Sequence, residues 1–277
     1  MWNKLLLALV ASGFALGACA QQGADNAPSA SAAQTKTAAT NASAANAAPT
    51  DAAAQQKVTA AVRGLSPDLQ VDYVGKSPLP GFYQVIAAGQ LVYISADGKY
   101  MIHGDLVDLG AHRNLSDAAW AAFRKSELAK VPAAQRIVYA PAHPQHTITV
   151  FTDVNCGYCR ALHKHMAEFN QAGIAVEYVA WPREGVTTTA GNDTPTYKEM
   201  VSVWCATDRK RAFADATAGT QPKAATCANP VKAQFDLGVK LGVTGTPTIV
   251  AEDGRVLGGY VAPDKLLKML QSGDAGS

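Results

Sequence analysis

Alternating apolar and polar residues predict a small antiparallel sheet in the first folded region of the chain, residues 56–112. Short runs rich in β-branched and aromatic residues are separated there by turns containing glycine, proline or Asp97-Gly98, which is typical of hairpins. The predicted strands cover residues 70–74, 82–87, 90–95, 100–103 and 106–109. Before them, Val58, Ala61 and Val62 recur at helical spacing and predict a short amphipathic helix. The region is therefore expected to be a small α+β unit.

A helix is predicted to connect this unit to the rest of the chain, within residues 113–134. Ser116 is expected to cap the helix, residues 117–130 to form it, and Pro132 to end it. Because its apolar content is modest, we expect a linker helix that bridges two domains through solvent.

The larger region, residues 135–272, mixes the periodicities of strands and helices. A predicted strand over residues 146–151 is followed by a helix carrying Leu162, Met166 and Phe169 at helical spacing, and then by a strand over residues 174–180. Strand, helix and strand in this order predict a parallel βαβ unit. Further helices are predicted over residues 196–205, 209–218, 231–241 and 264–270, and a hairpin over residues 248–250 and 256–260.

The N-terminal segment indicates export from the cytoplasm. Lys4 and an apolar run over residues 5–16 are typical of a signal peptide, which we assign to residues 1–19. The run ends before Cys19 in a sequence that resembles a bacterial lipobox, where the cysteine is lipidated; ordinary cleavage after Ala20 is the alternative. Residues 20–55 are rich in Ala, Thr, Ser, Asn and Gln and are predicted to be a disordered tether.

Length and charge narrow the function classes only slightly. The chain has 277 residues, enough for one or two domains with a real core. Its formal net charge of +2 gives no indication of nucleic-acid binding. Five cysteines are present, and the four that follow Cys19 would lie in an oxidising compartment, where structural disulfides persist.

Cys156 and Cys159 form a C-x-x-C pair where the predicted strand gives way to the predicted helix. Backbone N–H groups at a helix start favour a thiolate, so we expect an exposed, activated Cys156 suited to disulfide exchange. Half of a zinc site and an inert disulfide are the alternatives. Only His163 has plausible reach to such a zinc ion, and His163 and His165 are both expected to be solvated on the helix face. We expect no metal and no cofactor.

Thr246-Pro247 precedes a predicted inner strand, where proline is unfavourable unless it has a special role. A cis peptide bond here would leave the backbone of Thr246 free to pair with an extended substrate. A simple turn proline is the alternative.

These motifs together resemble the bacterial periplasmic disulfide isomerases of the DsbC type. The residues that carry the resemblance are Phe151-Thr152-Asp153, Cys156-Gly157-Tyr158-Cys159, Trp204-Cys205, Cys227, the run from Gly242 to Pro247, the run from Leu91 to Ile94, and Asp97-Gly98-Lys99. The similar stretch covers roughly residues 56–270. Gly157-Tyr158 fits the DsbC type better than the related DsbG type, which carries Pro-Tyr. The leader departs from the family, because a lipobox and a long tether are not part of its pattern.

The resemblance implies an α/β thioredoxin-like catalytic domain with a helical insertion. A small α+β cystatin-like dimerisation domain and the linker helix would precede it, and two copies would form a V-shaped homodimer around a shared apolar cleft. Cys156 would attack wrong disulfides in misfolded secreted proteins and Cys159 would resolve the mixed disulfide. Thr246–Pro247 would be cis.

The resemblance also implies that Cys205 and Cys227 form a structural disulfide, which in the loop-entropy model stabilises by about 3 kcal/mol. A second redox pair is the alternative. A transmembrane thiol reductase of the DsbD type would keep the protein reduced. The chain would act in the periplasm, tethered to a membrane through Cys19 or, alternatively, soluble.

Other activities fit parts of the same pattern. A dithiol oxidase that introduces disulfides would use the same C-x-x-C pair. A lipid-tethered holdase would bind unfolded chains without its thiols, and a metal-binding carrier is a more distant alternative.

Overall fold

The computed structural model describes residues 51–273, and in its first region one helix covers a four-stranded antiparallel sheet. The strands, in their order across the sheet, are β1 (Val71–Lys76), β2 (Phe82–Ala87), β3 (Gln90–Ser95) and β4 (Met101–His103). Helix α1 (Asp51–Leu65) packs Ala54 and Val58 against Val85 and Ile94 of the sheet. The predicted helix and these predicted strands are confirmed.

Two details of this region differ from the predictions. The disordered tether was expected to reach residue 55, which is wrong for residues 51–55, because α1 already begins at Asp51. This stretch is rich in alanine, the strongest helix former, and Ala54 is buried against the sheet. A short strand β6 (Arg113–Asn114), which the pattern did not predict, pairs with β5 (Val107–Asp108). The predicted signal peptide, Cys19 and the rest of the tether lie outside the described residues.

The predicted cap of the linker helix α2 (Ser116–Leu128) is wrong. Leu115 holds the cap position and makes no side-chain cap hydrogen bond. The Ser116 hydroxyl instead lies 2.6 Å from the hydroxyl of Tyr93 and accepts a hydrogen bond from the N–H of Leu106. Ser116 therefore ties the helix to the sheet of the first region.

The expectation that α2 bridges through solvent is also wrong. Its apolar residues are few, but Ala119 and Phe123 are four positions apart and share one face. That face is buried in a cluster that also contains Leu91 of the first sheet and Leu241 and Val243 of the larger region. The linker helix is therefore part of a continuous core between the two regions.

The larger region contains a five-stranded mixed sheet. Its strands are β7 (Ile137–Tyr139), β8 (His146–Thr152), β9 (Ile174–Ala180), β10 (Thr248–Ala251) and β11 (Val256–Gly258), arranged in the order β11-β10-β8-β9-β7. Strands β8 and β9 are parallel, as predicted, and the other pairs are antiparallel. The predicted fold class, a thioredoxin-like α/β domain after an antiparallel N-terminal domain, is confirmed.

Within residues 51–273, this region has six α-helices: α3 (Gly157–Lys164), α4 (Met166–Gln171), α5 (Pro195–Trp204), α6 (Arg209–Thr217), α7 (Val231–Lys240) and α8 (Pro263–Ser272). Helices α3 and α4 connect β8 to β9, and α5 and α6 form the helical excursion after β9. None of the helices within residues 51–273 is long and apolar enough to cross a membrane.

Strand β8 is buried on both faces, which holds its C-terminal end in place. Ile148 and Val150 belong to one core, together with Leu162 of α3. Phe151 points to the opposite face and packs in the second core with Trp181. The end of β8 therefore carries the next residues of the chain to a rigid position at the edge of both cores.

Candidate active site

The C-x-x-C pair lies where β8 gives way to α3. Cys156 is the N-terminal cap residue of α3, with an extended backbone (φ −83°, ψ 122°), and the helix begins at Gly157. Cys156 and Cys159 are both free thiols in the structure. Because the first N–H groups of a helix have no partner within the helix, they are available to the Cys156 sulfur.

Cys156 lies beneath the surface, against the loop before β10. It is only 3 % exposed, so the expectation of an exposed thiol is wrong. Its Sγ donates a hydrogen bond to the carbonyl oxygen of Thr246 at 3.1 Å, and the Thr246–Pro247 peptide bond is cis. The loop that covers the sulfur is 90 residues away in the chain, so the burial of Cys156 is a consequence of tertiary contacts.

Opposing effects act on the pKa of Cys156. Burial acts to raise it, while groups that can donate to the thiolate act to lower it: the Thr246 hydroxyl, the Cys159 side chain and the N–H groups of Cys159 and Tyr158. These donors outweigh burial, so the pKa lies below its ordinary value of 9.0. A lowered pKa increases the thiolate fraction of Cys156 near neutral pH.

Cys159 has the opposite character. Its side chain is fully buried, and burial raises the pKa of its thiol to about 12. The Thr152 hydroxyl and the N–H of Asp153 partly offset that burial, whereas the neighbouring Cys156 adds to it. Two thiols separated by two residues therefore differ in their readiness to ionise.

A hydrogen-bonded loop, which the sequence patterns did not reveal, holds the chain just before Cys156. The buried carboxylate of Asp153 accepts hydrogen bonds from the N–H of Asn155 (2.7 Å) and from the N–H of Arg183 (2.8 Å). The Asn155 side chain donates to Glu199 and accepts from Arg160. An Asp two residues before an Asn in a turn is the one local signal for this loop. The network fixes the approach of the chain to the C-x-x-C pair.

The two residues between the cysteines face outward. Gly157 is exposed, and Tyr158 is 69 % exposed although its ring is largely apolar. An exposed aromatic ring next to a buried reactive sulfur provides a contact for a partner that reaches the sulfur.

His163 does not match the expectation of a solvated residue. Its ring makes edge contacts with the rings of Tyr139 and Phe213, at centroid distances of 5.0 and 5.1 Å, and its Nδ1 lies 3.3 Å from the hydroxyl of Tyr178. Burial lowers the pKa of His163 to about 4, so the imidazole is neutral at neutral pH. His165 is partly exposed and pairs with Glu168, which is closer to the expectation. Across residues 51–273, no group of three or more His, Cys, Asp or Glu is placed to hold a metal ion.

Cys205 and Cys227 are joined by a disulfide that closes the helical excursion. Their Cα atoms are 5.7 Å apart, and 22 positions separate them in the chain. Cys205 follows the end of α5. This bond is remote in sequence from the C-x-x-C pair and lies in a different structural setting.

Two family models match the chain. Residues 40–117 match the model described as the disulfide bond isomerase protein N-terminal domain, and residues 133–273 match the thioredoxin-like domain. Together they span both regions of the described fold.

The chain is similar to curated proteins called thiol:disulfide interchange protein DsbC. It is 38 % identical to that of Dickeya dadantii over 204 residues, which is 74 % of this chain and 82 % of the relative. The identity is 38 % over 206 residues for Salmonella typhimurium, covering 73 % of this chain and 81 % of the relative. For Escherichia coli K12 it is 36 % over 220 residues, covering 79 % of this chain and 86 % of the relative.

Proposed function

Because the chain belongs to the DsbC family of thiol:disulfide interchange proteins and is a disulfide isomerase, we propose that Cys156 is its attacking cysteine and Cys159 its resolving cysteine. The observation that carries this assignment is the opposite ionisation of the two thiols. The pKa of Cys156 is lowered by hydrogen bonds at a helix start, whereas burial raises that of Cys159 to about 12. The more readily ionised thiol is the one that begins an exchange.

The reaction starts with the Cys156 thiolate attacking one sulfur of a wrong disulfide in a client protein. A new bond joins Cys156 to the client, and the other client sulfur leaves as a thiolate that takes up a proton. That client thiol then attacks a different sulfur, and the final exchange releases Cys156 as a thiolate. No net oxidation or reduction occurs, so the enzyme returns to its starting state.

A client that stalls is released by Cys159. Its sulfur attacks Cys156 in the mixed disulfide, the bond between Cys156 and the client breaks, and the client sulfur leaves reduced. The enzyme is then oxidised at Cys156–Cys159. We propose that a transmembrane thiol reductase of the DsbD type supplies the two electrons that restore the dithiol.

Thr246, Pro247, Gly157 and Tyr158 form the proposed contact surface for the client. The hydrogen bond of 3.1 Å between the Cys156 sulfur and the Thr246 carbonyl supports this surface. An extended client segment can pair with the loop backbone while Tyr158 covers it from the other side.

The proposed assembly is a homodimer formed through the edge of the first sheet. Within residues 51–273, β4 pairs only with β3, and it carries Met101 and Ile102, which are 52 % and 45 % exposed. Tyr100, just before β4, is 67 % exposed, and Leu109, six positions after it in the chain, is 81 % exposed. An apolar open edge of this kind is stabilised by pairing with the same edge of a second copy. The cleft between the two catalytic domains would then hold the client.

Sizing chromatography tests this assembly. An acidic side chain at β4, Ile102→Glu, is expected to convert the dimer to a monomer, because it places a charge inside the apolar contact. Val239→Glu is the matched control, since Val239 is a similarly exposed apolar residue outside the first sheet, at 43 %. A dimer that persists in Ile102→Glu would reject this interface.

We propose that the protein acts in the periplasm, the compartment of the DsbC family. Lipidation of Cys19 would tether it to a membrane, and a soluble form is the alternative. Fractionation of cells that express the wild type and Cys19→Ala separates the two. Release of only the variant from the membrane fraction supports the tether, whereas a soluble wild type contradicts it.

The decisive test of the catalytic assignment is the recovery of scrambled ribonuclease. Cys156→Ser is expected to lower the rate to the uncatalysed background. Cys159→Ser is expected to keep the first attack and to accumulate mixed disulfides visible on non-reducing gels. If Cys156→Ser rescues the substrate at the wild-type rate, the assignment is wrong.

A further inference from the structure

Thr152, the last residue of β8, carries a buried hydroxyl that the mechanism above does not use. Its side chain is fully buried, and in this dithiol form its Oγ1 makes no hydrogen bond within residues 51–273. Leaving a buried hydroxyl unpaired costs about 1–3 kcal/mol, and such groups are uncommon in native proteins. A valine would have nearly the same shape without this cost. A chemical role for the hydroxyl would explain why a threonine occupies this position.

The position of this hydroxyl is set by the backbone on both sides. Thr152 pairs with Ala180 of β9, and its carbonyl accepts a hydrogen bond of 2.8 Å from the N–H of Trp181. Because side chains alternate along a strand, Thr152 lies on the same face as Ile148 and Val150, which is the face covered by α3. The hydroxyl is thereby directed at the first turn of that helix.

Cys159 lies on the side of α3 that faces this strand, because Cys159 and Leu162 are the buried residues of the helix and are three positions apart. Among the contacts that make the Cys159 thiolate easier to form, the Thr152 hydroxyl is the foremost, followed by the N–H of Asp153. Thr152 has no corresponding effect on Cys156, whose pKa is lowered by the Thr246 hydroxyl, by the Cys159 side chain and by the N–H groups of Cys159 and Tyr158. The hydroxyl therefore distinguishes between the two thiols.

We propose that Thr152 is a catalytic residue of the resolving step, in which its hydroxyl donates a hydrogen bond to the Cys159 sulfur as that sulfur attacks Cys156. The inference rests on the proposed roles of Cys156 and Cys159. A hydroxyl without another partner can rotate freely toward the sulfur when negative charge develops there. In a dry site such a charge-assisted bond is stronger than one between neutral groups.

The resolving step is an intramolecular thiol–disulfide exchange. The Cys159 thiol loses its proton, its sulfur forms a bond to Cys156, and the bond between Cys156 and the client sulfur breaks. The client sulfur leaves with the bonding pair and takes up one proton. Thr152 keeps its own proton throughout and only stabilises the transient charge on Cys159.

The experiment follows the two thiols of the reduced full-length chain separately by stopped flow. The probe is dithiobis(nitrobenzoate), a disulfide that releases a coloured thiolate when Cys156 attacks it and a second one when Cys159 resolves the mixed disulfide. Thr152→Val is expected to slow the second phase about tenfold, the effect of losing one hydrogen bond to a charged sulfur, while the first phase reports Cys156 alone. Thr152→Ser keeps a hydroxyl and is expected to restore the second phase.

Thr149→Val is the matched control for the loss of a threonine hydroxyl. Thr149 is also buried on β8 but lies on the opposite face from Thr152, so both phases should remain at the wild-type rate. Thr152→Ala, which also lacks the hydroxyl, is measured in parallel and should show the same slow second phase. Because Oγ1 has no partner, Thr152→Val is expected to unfold in urea at no lower a concentration than the wild type.

Each outcome has a distinct meaning. A second phase at the wild-type rate in Thr152→Val, or in Thr152→Ala, overturns the role of the hydroxyl and leaves the proposed function intact. A Thr152→Ser chain as slow as Thr152→Val also overturns it. If the wild type shows no second phase beyond that of Cys159→Ser, the proposed role of Cys159 itself fails.

Discussion

Two cysteine pairs in one domain have the same atoms and opposite chemistry. Cys156 and Cys159 are free thiols at the start of a helix, with pKa values displaced in opposite directions. Cys205 and Cys227 are bonded to each other across the end of the helical excursion. The first pair lies beside hydrogen-bond donors that stabilise a thiolate. The second pair is a disulfide and has no thiol to ionise.

This difference shows that reactivity depends on placement more than on spacing. A helix start offers unpaired N–H groups, and the cis-proline loop adds a side-chain donor, so a thiolate is stabilised at Cys156. A disulfide that closes a loop acts mainly on the unfolded state. It lowers the conformational entropy of the unfolded chain and thereby stabilises the folded protein. Substitutions in the two pairs can separate these two roles.

Removing each pair should affect different properties. The double variant Cys156→Ser/Cys159→Ser is expected to lose all recovery of scrambled ribonuclease, because it has no nucleophile. Cys205→Ala/Cys227→Ala should retain most of the rate per folded molecule, since neither sulfur contacts the active site. If both variants fold and lose activity equally, the assignment of catalysis to the first pair alone is wrong.

The two active-site thiols should differ in alkylation by iodoacetamide. A lowered pKa means that Cys156 ionises at lower pH than an ordinary thiol, so its labelling should reach half-maximum below pH 9.0. Since the pKa of Cys159 is raised to about 12, it should remain unlabelled at every pH up to 9.0. Peptide mass spectrometry of the reduced chain measures both. Labelling of Cys159 before Cys156 would contradict the assignment.

The disulfide should contribute to stability rather than to exchange. Cys205→Ala/Cys227→Ala is expected to lower the free energy of unfolding by about 3 kcal/mol, because the loop between these residues is no longer closed. Urea denaturation followed by circular dichroism measures the change. The control Cys156→Ala/Cys159→Ala, measured against the reduced wild type, should lose less, since no covalent loop is opened. A reversed order of the two losses would count against the structural role.

The smallest effect is expected from the donor above Cys156. Thr246→Val removes the hydroxyl that helps to lower the pKa of Cys156, so that pKa should rise and alkylation at neutral pH should slow by about tenfold. Thr246→Ser should restore the rate. An unchanged pH profile in Thr246→Val would assign the lowered pKa to the helix N–H groups alone.

Local patterns in the sequence were sufficient for most elements and for the position of the C-x-x-C pair. Strands β2, β3 and β9 have the predicted bounds, because alternation and flanking turns are encoded by adjacent residues. The hairpin at Asp97-Gly98 follows from the same local chemistry, with Gly98 at a positive φ of 77°. The family motifs added the fold class, which periodicity by itself does not specify.

What only the tertiary structure decided is the environment of each side chain. Ser116 contacts a strand instead of capping its helix, His163 is packed among aromatic rings, and the linker helix joins a shared core. Cys156 is covered by Thr246, a residue 90 positions later in the chain. Burial and pKa depend on neighbours that are remote in sequence, so spacing located both thiols but did not determine which of them would ionise.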